Sequence, residues 1–255
     1  MSRGCAVLGS SFFDFPLESL RKVEMDTPFG LATSYAVQGT DSFVQFRHGL
    51  PHTLLPTQIN WRAQAWMLKA LEIDSLLLTS SVGVLDDSIS LYEPLLASDL
   101  LMPFNQLPDG SVCTMFPKAT KDHGHLLLQD GVFHSGLRNI LAQRFAITIQ
   151  NVVFGYVPGP RTKTPIENLF WKQCGAQVNS MSIGPEAILA NELEIPVAAL
   201  VIGHKYSLPN PNNKHTHESI EDSLVRARNI VQHCVWDFVR DPPSVSFSNH
   251  MYRFS

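Results

Sequence analysis

Ser42-Phe43-Val44-Gln45-Phe46-Arg47-His48-Gly49-Leu50-Pro51-His52, continuing through Pro56 to Ile59-Asn60-Trp61-Arg62-Ala63, is the stretch on which the fold turns. Residues 42–46 alternate polar and apolar, the period of a half-buried strand. Ala63, Trp66, Met67 and Ala70 then recur at helical spacing. Between them lies a loop that holds an arginine, two histidines, a glycine and two prolines. Strand-to-helix loops suit anions, because the first N–H groups of a helix have no partner inside it and point outward. Arg47 adds a planar fork of donors for an oxyanion. The plainer alternative is a surface salt bridge beside a packed histidine.

Upstream, Cys5-Ala6-Val7-Leu8 is a short apolar run ending in Gly9-Ser10-Ser11, as a buried parallel strand ends at a ligand-binding turn. Thr27-Pro28-Phe29-Gly30 reads as a turn and Ser34 to Val37 as a strand. Downstream, Ser75 to Thr79 reads as a buried strand running into a small, hydroxyl-rich turn, Ser80-Ser81-Val82-Gly83-Val84-Leu85. Ser98 to Pro103 is another short strand. Residues 105–124 carry no regular period and read as a long loop. Ser135 to Phe145 is helical and Ile147 to Tyr156 is a strand. Thr164-Pro165 opens a helix, Ala176 to Met181 is a strand, and Pro185-Glu186 opens another helix. Val197 to Ile202 is the last central strand, with Gly203-His204-Lys205-Tyr206 at its end. Residues 218–239 form a closing amphipathic helix. The alternation implies a single α/β domain over residues 1–255, a twisted mixed β-sheet flanked by helices on both faces.

Composition narrows the function. The chain has 255 residues, 44% apolar and 16% charged, with a formal charge of −4. That supports a full core and offers no basic stripe for nucleic acid. Fifteen Phe and four Trp on a sparsely charged chain are consistent with a buried oligomer face. Cys5, Cys113, Cys174 and Cys234 are far apart with no CxxC spacing, so reduced thiols are expected and a zinc site is not. The N-terminus has no signal pattern and no apolar run is long enough for a bilayer, so a cytoplasmic protein without membrane partners is expected.

Three ordered blocks carry a resemblance. They are Arg47-His48-Gly49 with His52, Pro56 and Ile59-Asn60-Trp61-Arg62-Ala63; Gly159-Pro160-Arg161 with Thr164 and Glu167; and Gly175-Ala176, Met181-Ser182, Pro185-Glu186, Leu189-Ala190 and Glu192. Over roughly residues 5–240 the chain resembles the trimeric purine nucleoside phosphorylase and methylthioadenosine phosphorylase family. The resemblance implies a pentosyltransferase that cleaves the N-glycosidic bond of a nucleoside with phosphate, giving a free base and a pentose 1-phosphate. It implies a homotrimer active in nucleoside metabolism and purine salvage. No metal or cofactor is expected, inorganic phosphate being a co-substrate. By position it implies Ser11, Arg47, His48, Ser80, Ser81 and Ser182 for phosphate. It implies Val82, Gly83 and Met181 beside the nucleoside, His217 near the sugar 5′ position, and His125 reaching a neighbouring subunit's site.

The base end departs from the family. Where the family carries Thr-Asp or Thr-Asn after the last central strand, this chain has Gly203-His204-Lys205-Tyr206. Alignment leaves open whether Lys205 or His204 takes the acid or amide position, so both are candidates for assisting the leaving group. After Gly159-Pro160-Arg161 the family's aromatic and its neighbour are replaced by Thr162 and Lys163. A pocket edged by Lys163 and by His204 or Lys205 favours an electron-rich or anionic base, or a non-purine ring, and disfavours unmodified adenine. Residues 105–124 lack the family's usual Thr and Arg run. Two other readings are a nucleosidase that uses water and a non-catalytic nucleoside-binding relative.

Overall fold

The structure, a computed structural model, describes residues 2–12, 17–118, 120–210 and 219–254. Its spine is β5 (Ser75–Val84), ten residues buried end to end. The sequence predicts a turn after Thr79. Instead Ser80 to Val84 continue the strand, because they pair with the last long strand, β10 (Val197–Tyr206), from Leu76↔Val197 to Val84↔Tyr206. Gly203-His204-Lys205-Tyr206 is therefore the end of a strand as well. β5 also pairs in parallel with β1 (Gly4–Leu8), along Gly4↔Ser75 to Val7↔Leu78.

Around this spine the sheet runs both ways. On one side β1 leads to β4 (Phe43–Phe46), β3 (Gly30–Val37) and β2 (Leu20–Thr27), an edge hairpin whose first strand sequence periodicity misses. On the other, β10 continues to β6 (Pro94–Leu101), β8 (Ile149–Tyr156) and β9 (Val178–Ser180), which returns to β5. Those five strands close on themselves, so the sheet curls into a barrel-like ring with a flat extension. A two-stranded ribbon of β7 (His125–Leu127) and β11 (His250–Tyr252) lies apart. Residues 105–124 hold only an isolated bridge, Gln106↔Val112, among those described.

Helices cover both faces, as the alternation of strands and amphipathic segments requires. One core takes Trp61, Ala65 and Leu68 of α1 (Trp61–Ala70) and Ala187 and Leu189 of α4 (Gly184–Glu192) against β5 and β10. The other takes Leu137 and Leu141 of α2 (Ser135–Arg144) and Val231, Val235 and Phe238 of α5 (Ile220–Arg240). Trp171 of α3 (Pro165–Gln173) packs in a smaller cluster with Leu85 and Val157. Each start is chemically marked. Asn60 accepts from Ala63 N–H, and Thr164 and Glu167 form a capping box with Pro165 in the first turn. No described helix is long and apolar enough to cross a membrane.

Candidate active site

The ends of β5, β9 and β10 and the Arg47 and Pro160 loops converge on a cleft of about 270 Å³. It is lined by Arg47, His48 and His52 from the first loop, Thr162 and Lys163 from the second, Ser80 and Gly83 of β5, and His204 and Lys205 of β10. Ser10, Asn179, Ser180, Met181 and Ser182 complete most of the wall.

Arg47 leaves the end of β4 and is 1% exposed. Nε donates to Glu186 Oε1 at 2.7 Å and Nη2 to Oε2 at 2.8 Å, while Nη1 donates to the Thr79 carbonyl at 2.9 Å. A guanidinium has five N–H groups, so one remains on each Nη for a ligand. Gly9 makes room for this fork: a Cβ there would stand 2.9 Å from Nη1. The salt bridge foreseen as the plain alternative thus exists, but it is buried and still faces the cleft.

Glu186 is fixed in turn by the start of α4. Its Oε2 accepts the Ile183 N–H at 3.0 Å. Ile183 has φ +66° and ψ −50°, the centre of a γ-turn closed by Gly184 N–H donating to the Ser182 carbonyl at 2.7 Å, a strained conformation that costs about 1–3 kcal/mol. The strain holds Ser182 at the mouth of the helix. Ser182 Oγ lies 2.9 Å from Ser80 Oγ and 3.3 Å from Ser180 Oγ, and Ser80 and Ser180 are 3.2 Å apart. Each hydroxyl has one proton and two lone pairs, so the triangle can turn its donors toward an anion. The helix that follows the Ser182 wall of the cleft is α4, while Asn60 is spent on the cap of α1.

His48 Nδ1 lies 2.9 Å from the Leu54 carbonyl. A carbonyl only accepts, so Nδ1 carries the proton and Nε2 is the acceptor of the neutral ring. Burial, then the Arg47 charge, pulls this imidazole down to about 4. His52 stacks on it with ring centres 4.4 Å apart.

The β5–β10 ladder places both candidates. Gly203 pairs with Val82 and Lys205 with Gly83, leaving His204 in a β-bulge. Consecutive residues of a regular strand face opposite ways. A bulge re-aims them, so His204 and Lys205 both line the cleft. Ser223 Oγ donates to the Ile220 carbonyl at 2.7 Å and so accepts from His204 Nδ1 at 3.0 Å. His204 therefore also presents a bare Nε2. Burial first, then Lys205 and Lys163, pulls it down to about 4.

Lys163 is half-buried, and burial with the Lys205 charge lowers it to about 8. Its loop is staked by Arg161, which donates to both Glu167 oxygens at 2.8 and 2.6 Å. That contact explains the spacing of the Gly159-Pro160-Arg161, Thr164, Glu167 block.

Other expected residues lie elsewhere. Ser11 is buried in a short 3₁₀ turn, Ser10–Phe12, and its neighbour Ser10 reaches the cleft wall. Ser81 and Val82 are buried in the sheet outside the lining, Val82 within the core. His125 sits on β7 against Tyr252 and Phe254, in a separate depression with Arg62 and Glu192. His217 falls outside the described residues. The sequence reading missed Asn179 and Ser180, and it has Ser10 within a ligand-binding turn but chooses Ser11 for phosphate. It quoted His52 without giving it a role.

A family model described as the phosphorylase superfamily matches residues 12–240. The chain is 29% identical over 232 residues to an S-methyl-5′-thioadenosine phosphorylase of Caenorhabditis briggsae, covering 84% of this chain and 78% of that one. It is 29% identical to a 6-oxopurine nucleoside phosphorylase of Pyrococcus furiosus, covering 88% and 87%. It is 34% identical to a probable 6-oxopurine nucleoside phosphorylase of Dictyoglomus turgidum, covering 82% and 80%. The fold matches that of a Schistosoma mansoni methylthioadenosine phosphorylase in complex with adenine, with a TM-score of 0.75 at 22% identity over 91% of this chain and 88% of that one. With a match over nearly its whole length and the same arrangement of sheet and helices, the chain belongs to the phosphorylase superfamily, alongside the purine nucleoside and methylthioadenosine phosphorylases.

Proposed function

We propose that the protein is a nucleoside phosphorylase, a pentosyltransferase working on a purine nucleoside or nucleoside-like substrate with an atypical base pocket. Inorganic phosphate is the co-substrate and nucleophile. The observation that carries this reading is the grouping of a buried, half-spent Arg47 fork, the Ser80–Ser180–Ser182 triangle and an acceptor-bearing His48 in one cleft. Hydrogen phosphate dianion has oxygens for the Arg47 and serine donors and one P–OH for His48 Nε2. Charge-assisted hydrogen bonds of this kind contribute about 1.5–3 kcal/mol each.

In the reaction a phosphate oxygen bonds to C1′ as the C1′–N bond breaks. The base leaves with the bonding pair and takes a proton. Neutral His204, with Nε2 an acceptor, is poorly placed to give that proton. Lys205, beside it, carries N–H donors and no acceptor, and is the donor to the departing base. Substituting Lys205 by Met is expected to lower kcat about a hundredfold, the usual worth of a positioned acid. The side chain is exposed, so thermal stability should stay near that of the parent.

The chain acts as one domain in a cytoplasmic homotrimer in purine salvage. Exposed Phe104, Ile166 and Phe170 around a second, larger groove of about 670 Å³ support an assembly face there. The deciding experiment follows base release from purine, pyrimidine and 5′-methylthio nucleosides with and without phosphate. Release that requires phosphate and yields pentose 1-phosphate is the expected result. Release without phosphate would mean a nucleosidase, and ligand binding with no cleavage would mean a non-catalytic relative.

A further inference from the structure

The cleft has a second end. Gly83 lies three residues beyond Ser80 on β5, and Lys205 is its ladder partner. At about 3.3 Å per residue, Lys205 stands about 10 Å along the strand from the hydroxyl triangle. That leaves space for a sugar between phosphate and base.

The charge of the cleft is one-sided. Arg47, His48, His52, Lys163, His204 and Lys205 line it, and among the described residues no carboxylate does. Arg47 is matched by Glu186 behind it. Lys163 and Lys205 have no ion pair among the described residues, and the Lys205 charge works against that of Lys163 by more than Glu167 offsets it. Like charges held together cost stability, and an anionic ligand would relieve that cost.

The same end also lacks donors for two acceptors. Asn179 is 1% exposed, and its Nδ2 donates to Asn168 Oδ1 at 3.2 Å. Its Oδ1 has no partner. A buried unpaired acceptor costs about 1–3 kcal/mol. His204 Nε2 is the other acceptor, since Nδ1 is committed to Ser223. Two cations beside two acceptors call for a ring that alternates carbonyl oxygens with N–H groups and carries negative charge.

We propose that the base end takes an oxo-rich, acidic heterocycle of the dioxopurine type, its oxygens and charge on Lys163 and Lys205 and its ring N–H groups on Asn179 Oδ1 and His204 Nε2. An amino-substituted base would instead turn an NH₂ donor toward an ammonium. This inference rests on the phosphorolysis reading and names its substrate class.

The test compares phosphate-dependent kcat/KM for xanthosine, inosine, adenosine and inosine 5′-phosphate, in the parent and in Lys163→Gln. Xanthosine is expected to lead adenosine by about tenfold or more, the worth of one charge-assisted contact in a half-exposed site. In Lys163→Gln the xanthosine-to-inosine ratio is expected to fall about tenfold by the same argument. A ratio that does not move, with cleavage intact, overturns the base assignment and leaves the phosphorylase reading standing. Preference for inosine 5′-phosphate places the anion at the sugar end and also overturns it. If no substrate is cleaved, the phosphorylase reading fails, and calorimetric binding of free xanthine against adenine decides the base end alone. Tighter xanthine binding that weakens in Lys163→Gln upholds the proposal, and equal binding rejects it.

Discussion

Replacing Arg47 by Ala should destabilise the fold by about 3–5 kcal/mol as well as abolish phosphate-dependent turnover. The reason is Glu186. Its carboxylate is 8% exposed and takes both ends of the Arg47 fork. Removing one partner of a buried pair leaves the other charge uncompensated, which is costlier than the pair's own net worth. For a chain of this size each kcal/mol moves the melting temperature by about 2–4 °C, so a drop on the order of 10 °C is expected by scanning calorimetry. A loss of turnover in this variant alone would therefore say little about phosphate.

The double variant Arg47→Met, Glu186→Gln separates the two roles. It removes both charges and keeps most of the volume, a change that is often neutral for buried pairs. Most of the lost stability should return, while phosphate-dependent cleavage should not. A double variant as unstable as Arg47→Ala would show that Ile183, which leans on Glu186 through its N–H, carries the defect. A double variant that recovers turnover would remove Arg47 from phosphate binding.

The same pair shows where sequence reading stops. Arg47 and Pro185-Glu186 are both legible as motif residues, but they are 139 positions apart and nothing in either block announces their bond. Helices and their caps were legible, because capping and amphipathic spacing are local: Thr164-Pro165 and residues 62–71 mark real elements. Ser80 to Val84 were misread as a turn because small hydroxyl residues signal turns locally, and only pairing with β10 keeps them extended. The bulge at His204 has no local signature either. It appears only when Gly203 and Lys205 take adjacent partners on β5, and it turns two alternative residues into two neighbours in one cleft. Lys163, by contrast, is legible only as a departure from family pattern, and it lines the cleft.

Acid should unfold this protein earlier than its carboxylates alone would require. His48 and His204 are both held near 4, chiefly by burial, against about 6.5 in an unfolded chain. Above pH 6.5 both are neutral in either state and contribute no slope. Between 6.5 and 4 the unfolded chain binds protons that the folded chain refuses, so stability falls as pH falls. By pH 5 the linkage amounts to about 2 kcal/mol for the well-buried His204 and somewhat less for His48. Carboxylates such as Glu167, held down to about 2 by Arg161, lose their contribution only below the ordinary carboxylate range. From pH 7 to 5 the histidines dominate, with Glu192, its carboxyl raised by burial, working in the opposite sense. Urea unfolding at both ends should show a loss of about 3–4 kcal/mol in the parent and about half of that in His204→Asn, which cannot titrate. An equal loss in both proteins would mean that His204 already carries its proton in the fold. Its Nε2 would then be a donor, and the leaving-group role assigned to Lys205 would pass to the histidine beside it.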